Sequence, residues 1–364
     1  MLPIVQGITW IWIFTLNVQK HHIVCIHVSE NCLKIKVVSA EQGLSDHLRR
    51  HFATCLAAPQ GPCDLTIDVA WVRGAGKGLG GLIADGWRRI ATNTFLKDNA
   101  CVFLHKFEKR KTRMDFFLEG RSLRFVARRE RKFQDPFRRD AENERTELCY
   151  HFVYFPALWY LQHFFGVHVL HAGAVRSGGK TIVYMGLDSM GKTTLSLCLG
   201  QADPASFVSD NLLLHDGEKV FACYEPVKVR DADAGSVPEA FQKITRTRLR
   251  HHYAPPARQD AGLSPDVFVL PAFSKEPFLR RISCEQACRA AMNTNLLASE
   301  IKKYRELADL WNLATASETL ATAQEKILLR LLSRAACYSL GIGSAETPQQ
   351  TVQRLRDLAA QGHA

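Results

Sequence analysis

The chain lacks any C-x-x-C pair, any internal repeat and any uninterrupted apolar run long enough to cross a bilayer. Its eleven cysteines are an odd number scattered along 364 residues, and Cys284 and Cys288 have no histidines nearby at zinc-finger spacing. A disulfide scaffold and a paired-cysteine zinc module are thereby excluded, which leaves a reduced, cytoplasmic protein with ordinary buried thiols. The opening, Met1-Leu-Pro-Ile-Val5 through Ile11-Trp-Ile-Phe14, is apolar but has no basic n-region and no small-residue cleavage site, and Gln6, Gly7 and Asn17 interrupt it. It fits neither a signal peptide nor a membrane span. Residues 1–17 read as a first strand, or as a non-native extension from an early start codon.

What is present suffices for a sizeable core. With 46% hydrophobic and 23% charged residues, the chain is long enough for about two domains and too apolar for disorder. The net charge of +11 is concentrated, because residues 106–139 hold thirteen Lys or Arg against five Asp or Glu. Such a stretch would suit an acidic partner, nucleic acid or an anionic membrane. In Leu123-Arg-Phe-Val-Ala-Arg128, however, basic and apolar residues are interspersed as on a half-exposed strand, and no nucleic-acid motif accompanies them. A solvated basic hairpin is the simpler reading. An acidic protein is the partner it would otherwise meet.

The first portion alternates short strands and turns: His22–Val28, Leu33–Val38 and Asp64–Val69, with a helix over Leu44–Phe52 and a hairpin from Met114 to Arg128 turning at Glu119-Gly120. The polar run Arg128–Glu147, with Pro136 inside it, reads as the boundary between an α+β domain at 1–145 and a second domain at 146–364. A helix over Tyr150–Phe165 follows, its aromatics suiting a core. Val169–Arg176 and Thr181–Met185 read as strands separated only by Ser177-Gly-Gly-Lys180. Four residues close a hairpin but cannot carry a parallel crossover, so these strands are antiparallel. Ser206–Ser209 is a further strand ending at Asp210, and Asn211–Leu214 leads to a tight turn at His215-Asp-Gly-Glu218, from which Lys219–Cys223 returns. From Cys284 onward the pattern is helical, notably Glu300–Leu313 and Ala321–Cys337, with a last short helix after Pro348.

Gly186, Leu187, Asp188, Ser189, Met190, Gly191, Lys192 and Thr193 form G-x-x-x-x-G-K-T between the apolar run Thr181–Met185 and the helix-like Thr194–Leu199. Glycines at both ends let the backbone wrap with its N–H groups inward, and a helix opening at Gly191 aims its positive end at an anion. Gly186 through Thr194 are therefore candidates for binding ATP. Lys192 would neutralise the β and γ phosphates, and Thr193 would ligate Mg²⁺. Asp210 lies eighteen residues after Lys192, room for a helix and a returning strand. It would stand by the γ phosphate as a metal-associated carboxylate or as the base accepting a hydroxyl proton, against a bland role in capping a turn.

Leu170-His-Ala-Gly173, the Ser177–Lys180 hairpin, the loop and Phe207-Val-Ser-Asp-Asn-Leu-Leu-Leu214 together resemble the HPr kinase/phosphorylase-like family, in its order and spacing, over about residues 150–295. The resemblance implies an α/β fold, a nucleotide-binding core shared with phosphoenolpyruvate carboxykinases, built on a mixed sheet and preceded here by the α+β domain. It implies ATP and Mg²⁺ at Lys192 and Thr193, and Asp210 as the base that activates a serine hydroxyl. It places His171 near the phosphates as a catalytic candidate and Glu225, in Tyr224-Glu-Pro-Val-Lys228, as a metal candidate beside Thr193 and Asp210. A lone strand histidine is otherwise a core residue, and Glu225 otherwise a surface carboxylate next to Lys228.

Two departures matter. The bifunctional members have two consecutive aspartates where this chain has Asp210-Asn211, and a proline- and glycine-containing arginine motif where it has Leu270-Pro-Ala-Phe-Ser-Lys-Glu-Pro277. Lys275, Arg280 and Arg281 could clamp phosphate, but a solvated basic loop is the simpler reading. Met292–Tyr304 looks like HprK-related kinases whose substrates are unassigned, which loosens the link to HPr itself. The expectation is an ATP-dependent kinase acting on a hydroxyl, a serine of a protein or peptide first and free serine or another small molecule second. A nucleotide-sensing module without phosphotransfer is the alternative. A homo-oligomer is compatible with either.

Overall fold

The computed structural model describes residues 20–28, 31–53, 55–57, 62–107, 110–130, 141–200, 206–247, 250–256, 262–316 and 320–360. The expectation for residues 1–17 lies outside these, as do 108–109 and 131–139 of the basic stretch. The molecule is mixed α/β, with parallel and antiparallel pairing in its sheets. Among the described residues no helix is long and apolar enough to cross a membrane.

The first part is one large sheet made of β1 (Lys20–Val28), β2 (Asn31–Ser39), β3 (Leu56–Ala57), β4 (Leu65–Val72), β5 (Arg88–Ala91), β6 (Thr94–Lys97), β7 (Ala100–Phe107), β8 (Arg110–Glu119) and β9 (Ser122–Glu130), in the order β3-β1-β2-β4-β9-β8-β7-β6-β5. The β8–β9 hairpin turns at Gly120-Arg121, one residue beyond the Glu119-Gly120 read from the sequence. Helix α1 (Gln42–His51) starts where the Glu41 carboxylate caps the Leu44 amide. Part of the basic charge here is paired internally. Asp115 is buried between Arg113 and Arg128, and buried Arg129 reaches Glu144 at 3.1 Å and the Thr112 hydroxyl at 3.4 Å.

The polar run is not all loop. Helix α2 (Ala141–Cys149) occupies its second half, passes into a π-helical turn at Tyr150–Tyr154 and continues as α3 (Phe155–Phe165). Acidic residues in the first turn of α2 favour this start, and only one side of the helix is buried, so its polar residues conceal it in a hydropathy pattern. A continuous apolar cluster joins strand residues such as Phe116 and Phe125 to Phe152, Trp159 and Trp311, so segments on either side of residue 145 share one core.

The second part centres on a six-stranded sheet. Its members are β11 (Ala172–Ser177), β12 (Lys180–Met185), β13 (Phe207–Ser209), β19 (Val267–Ser274), β20 (Phe278–Arg281) and β21 (Ala336–Gly343), in the order β13-β11-β12-β19-β21-β20. Smaller sheets flank it, from β10 (His168–Leu170), β14 (Leu213–His215) and β15 (Val220–Ala222), and from β16 (Val227–Arg230), β17 (Gln242–Arg246) and β18 (Arg250–Ala254). Alternate residues of β12 face opposite layers. Ile182 and Tyr184 pack with α4 (Lys192–Gly200) and α8 (Pro348–Ala360), and Val183 and Met185 with α5 (Cys284–Leu297) and α7 (Leu320–Leu332). Helix α6 (Ser299–Thr315) packs instead on the N-terminal sheet side.

β11 and β12 are antiparallel, joined by Gly178 and Gly179, both at positive φ as a tight hairpin turn requires. Two readings need correction. The expected strand Val169–Arg176 is broken at His171 into β10 and β11, which belong to different sheets. Residues 336–337, expected at the end of a helix, begin β21, and α7 stops at Leu332. Ala336–Gly343 is a short run without decisive period, and pairing on both edges with β19 and β20 makes it a strand.

Candidate functional site

The register Ala172↔Met185 leaves His171 opposite Gly186, where β12 ends and the glycine-rich loop begins. The loop leads into α4 at Lys192, with Ser189 and Gly191 at positive φ. The first amides of α4 have no intrahelical acceptor, so they and the helix dipole favour an anion there. β13 runs antiparallel to β11, with Ala174 opposite Ser209, and so delivers Asp210 to the same edge.

The Thr193 hydroxyl donates to Asp210 Oδ2 at 2.9 Å, and Ser196, one helical turn after Lys192, donates to Asp210 Oδ1 at 3.2 Å. Tyr184 hydrogen-bonds Ser196 behind it. Burial raises the pKa of Asp210, opposed by the hydrogen bond from Thr193, by Lys192 and by the hydrogen bond from Ser196. Lys192 is itself buried. Its ammonium donates to the carbonyls of Gly186 at 2.8 Å and Leu187 at 3.0 Å, and burial lowers its pKa.

A second chain of contacts starts at His171. Asn211 Nδ2 lies 3.2 Å from both oxygens of Glu225, which can only accept, so Asn211 Oδ1 faces His171 as an acceptor. His171 Nε2 lies 2.8 Å from that oxygen and must carry the proton; it is also 3.3 Å from Asp188 Oδ1. Nδ1 of this fully buried ring has no partner among the described residues. Burial first, and then Lys192, lower the pKa of His171, so the imidazole is neutral. Glu225 also pairs with Lys228 at 3.0 Å. Burial works against the charge of Lys228, but Glu225 and Glu300 outweigh it and raise the pKa.

Beside these groups opens a cleft of about 400 Å³ whose lining includes Asp188, Lys192, Thr193, Asp210, Lys228 and Glu300. The structure thus brings together His171, Asp188, Lys192, Thr193, Asp210 and, through Asn211, Glu225. Glu225 is engaged by Asn211 and Lys228 rather than by the Thr193–Asp210 pair. Leu187, Ser189, Met190 and Thr194 lie in or just beyond the loop, and Arg280 and Arg281 stand exposed on β20. Thr193 and Asp210 offer oxygen donors of the kind a divalent cation takes. His171, Asp188 and Glu300 bring one ligand-capable atom each within 4.8 Å of one another.

Sequence reasoning missed Ser196, Tyr184 and Glu300. Ser196 was readable from its i, i+4 spacing to Lys192 on a helix. Glu300 carries no local signal, since α6 brings it in from more than a hundred residues beyond the loop. No family model matches the chain, and no curated protein matches it. Fold and site define an α/β protein whose glycine-rich strand-to-helix loop opens on a charged cleft.

Proposed function

We propose that the protein is an ATP-dependent kinase of the HPr kinase-related type, with the nucleotide core that type shares with phosphoenolpyruvate carboxykinases, and that it transfers the γ phosphate to a hydroxyl, first of all a serine of a protein or peptide. The observation that carries this reading is the buried Asp210 carboxylate hydrogen-bonded to Thr193 at the start of α4, next to the loop lysine. A raised pKa makes Asp210 a better proton acceptor than an exposed aspartate.

Thr193 and Asp210 are the residues that would hold Mg²⁺, which would supply positive charge to offset that of the phosphates. The amides at the start of α4 bind the phosphates. Lys192 leaves the Gly186 and Leu187 carbonyls and places its charge on them. Asp210 takes the proton of the acceptor hydroxyl. His171, kept neutral, gives its Nε2 proton to Asn211 and stands 3.3 Å from Asp188, so that it orients the loop from beneath. A second cleft of about 410 Å³ adjoins the first, the two sharing Lys228, Arg250, Ser299 and Glu300, and gives the acceptor a seat beside the transferred group.

The test is to supply the protein with γ-labelled ATP and a lysate of its host. Label appearing in a protein or small molecule supports the kinase. ATP binding without any transfer replaces it with a nucleotide-sensing module.

A further inference from the structure

Away from the cleft, α1 and α2 bury a group of side chains that the proposed kinase chemistry does not use. His47 and His51 lie one turn apart on α1, and Cys149 closes α2. One nitrogen from each imidazole and the Cys149 sulfur lie within 4.8 Å of one another, and all three residues are buried. Tetrahedral zinc, with bonds of about 2.0–2.3 Å to nitrogen and sulfur, needs ligand separations inside that span.

The hydrogen bonds around the rings settle their tautomers. His47 Nδ1 is 2.9 Å from Glu142 Oε2, and a carboxylate only accepts, so the proton is on Nδ1 and Nε2 presents a lone pair. That Nε2 is buried and has no hydrogen-bond partner among the described residues. Glu142 also accepts from Thr245 at 2.9 Å and from Arg145 at 2.6 Å, which fixes its carboxylate behind His47. The Tyr154 hydroxyl donates to the Tyr224 carbonyl at 2.6 Å, so His51 Nε2, 3.0 Å from that hydroxyl, must be the donor to it, leaving His51 Nδ1 as the free lone pair. Two imidazoles are thus oriented by a carboxylate and a tyrosine on their far sides, the arrangement that outer groups impose on metal-bound histidines. Nδ1 of His252, which lines a narrow gap together with His47 and His51, is likewise buried without a partner among the described residues.

We infer that His47, His51 and Cys149 form a zinc site, with its fourth position taken by water. A nitrogen and thiolate set favours zinc over the oxygen-seeking Mg²⁺ or Ca²⁺. Binding releases the Cys149 thiol proton to solvent and turns the sulfur into a thiolate ligand. The ion cross-links α1 to α2. Through His51, Tyr154 and Tyr224 it braces the chain immediately before Glu225, so its role is structural.

The experiment uses the full chain, stripped with a chelator and titrated with Co²⁺ in the absence of nucleotide. The expected result is one Co²⁺ per chain with tetrahedral visible absorption and a thiolate-to-cobalt charge-transfer band, both displaced by one equivalent of Zn²⁺. Cys149→Ala should abolish the charge-transfer band, and His47→Gln should weaken binding at least tenfold, while Cys284→Ala changes neither. If the Cys149 variant fails to fold, zinc-edge X-ray absorption of the wild type reads the shell directly, and sulfur plus imidazole nitrogen is expected. Folded wild-type protein without a saturable charge-transfer band, a band that survives at full strength in Cys149→Ala, or a zinc shell of oxygens alone would each overturn the site.

Discussion

His171 gives its Nε2 proton to the Asn211 side-chain oxygen at 2.8 Å, and the amide end of Asn211 in turn faces both oxygens of Glu225. An amide is needed at 211 because it must accept on one side and donate on the other.

Asn211→Asp therefore tests the chain of contacts. The introduced carboxylate would lie about 3.2 Å from Glu225, and the like charges raise its folded pKa above the unfolded value. Its ionised form is the unfavourable one, so the loss of stability grows as pH rises through that folded pKa and shrinks in acid. Denaturant unfolding at pH 8 should show a loss of about 2 kcal/mol or more, and a smaller one at pH 5. Equal stability at both pH values would mean that the amide is not required.

Lys192→Ala should weaken Mg·ATP binding about 10²-fold or more, roughly 3 kcal/mol, with the fold intact. Calorimetric titration alongside circular dichroism checks both parts. Unchanged affinity in a folded variant would remove the loop from the nucleotide site.

For Asp210→Asn, nucleotide affinity should hold while phosphate transfer falls by about 10² or more. Burial raises the pKa of Asp210. Any stability tied to its raised pKa is present below the unfolded pKa and is lost as pH rises through the folded one, so at neutral pH the ionised carboxylate is a burden on the fold. The variant should melt no lower than wild type at pH 8, with the two converging in acid. Transfer at the wild-type rate would reassign Asp210 to turn capping.

Gly173→Ala should destabilise the site from behind. A Cβ there would stand 2.3 Å from Tyr184 Cε2, inside a fully buried ring whose hydroxyl holds Ser196 beneath Asp210. A loss of about 1–3 kcal/mol in thermal or denaturant unfolding is expected.

For the kinase proposed above, phosphorolysis is expected to be inefficient, since residue 211 is an amide and Arg280 and Arg281 face solvent on β20. Incubating phosphorylated acceptor with excess phosphate and Mg²⁺ should release little pyrophosphate. Release as fast as forward transfer would reverse the assignment.

Local chemistry made much of the site readable. The Gly178-Gly179 turn forces an antiparallel hairpin, and the spacing from Lys192 to Asp210 allows one helix and one strand, so the pairing of loop and carboxylate is legible in the sequence. The hidden parts depend on distant segments. His171 breaks its strand because β10 and β11 are claimed by different sheets, Glu300 arrives on α6, and the polar face of α2 masks a helix whose other side, with Leu148 and Cys149, is buried in the core. The pairing of His47 and His51 with Cys149 is likewise invisible to spacing, because the sulfur comes from a different helix almost a hundred residues on.

β21 sits between β19 and β20 in the sheet, although it follows both in sequence by more than fifty residues. During synthesis, β19 therefore emerges with an unpaired edge, and β20 has no neighbour to join. The sheet that carries the glycine-rich loop closes only after residue 343 has left the ribosome. A ribosome-bound fragment ending near residue 330 would carry the entire loop and Asp210 yet present an open strand edge, a natural docking point for a chaperone and a vulnerable stage for aggregation.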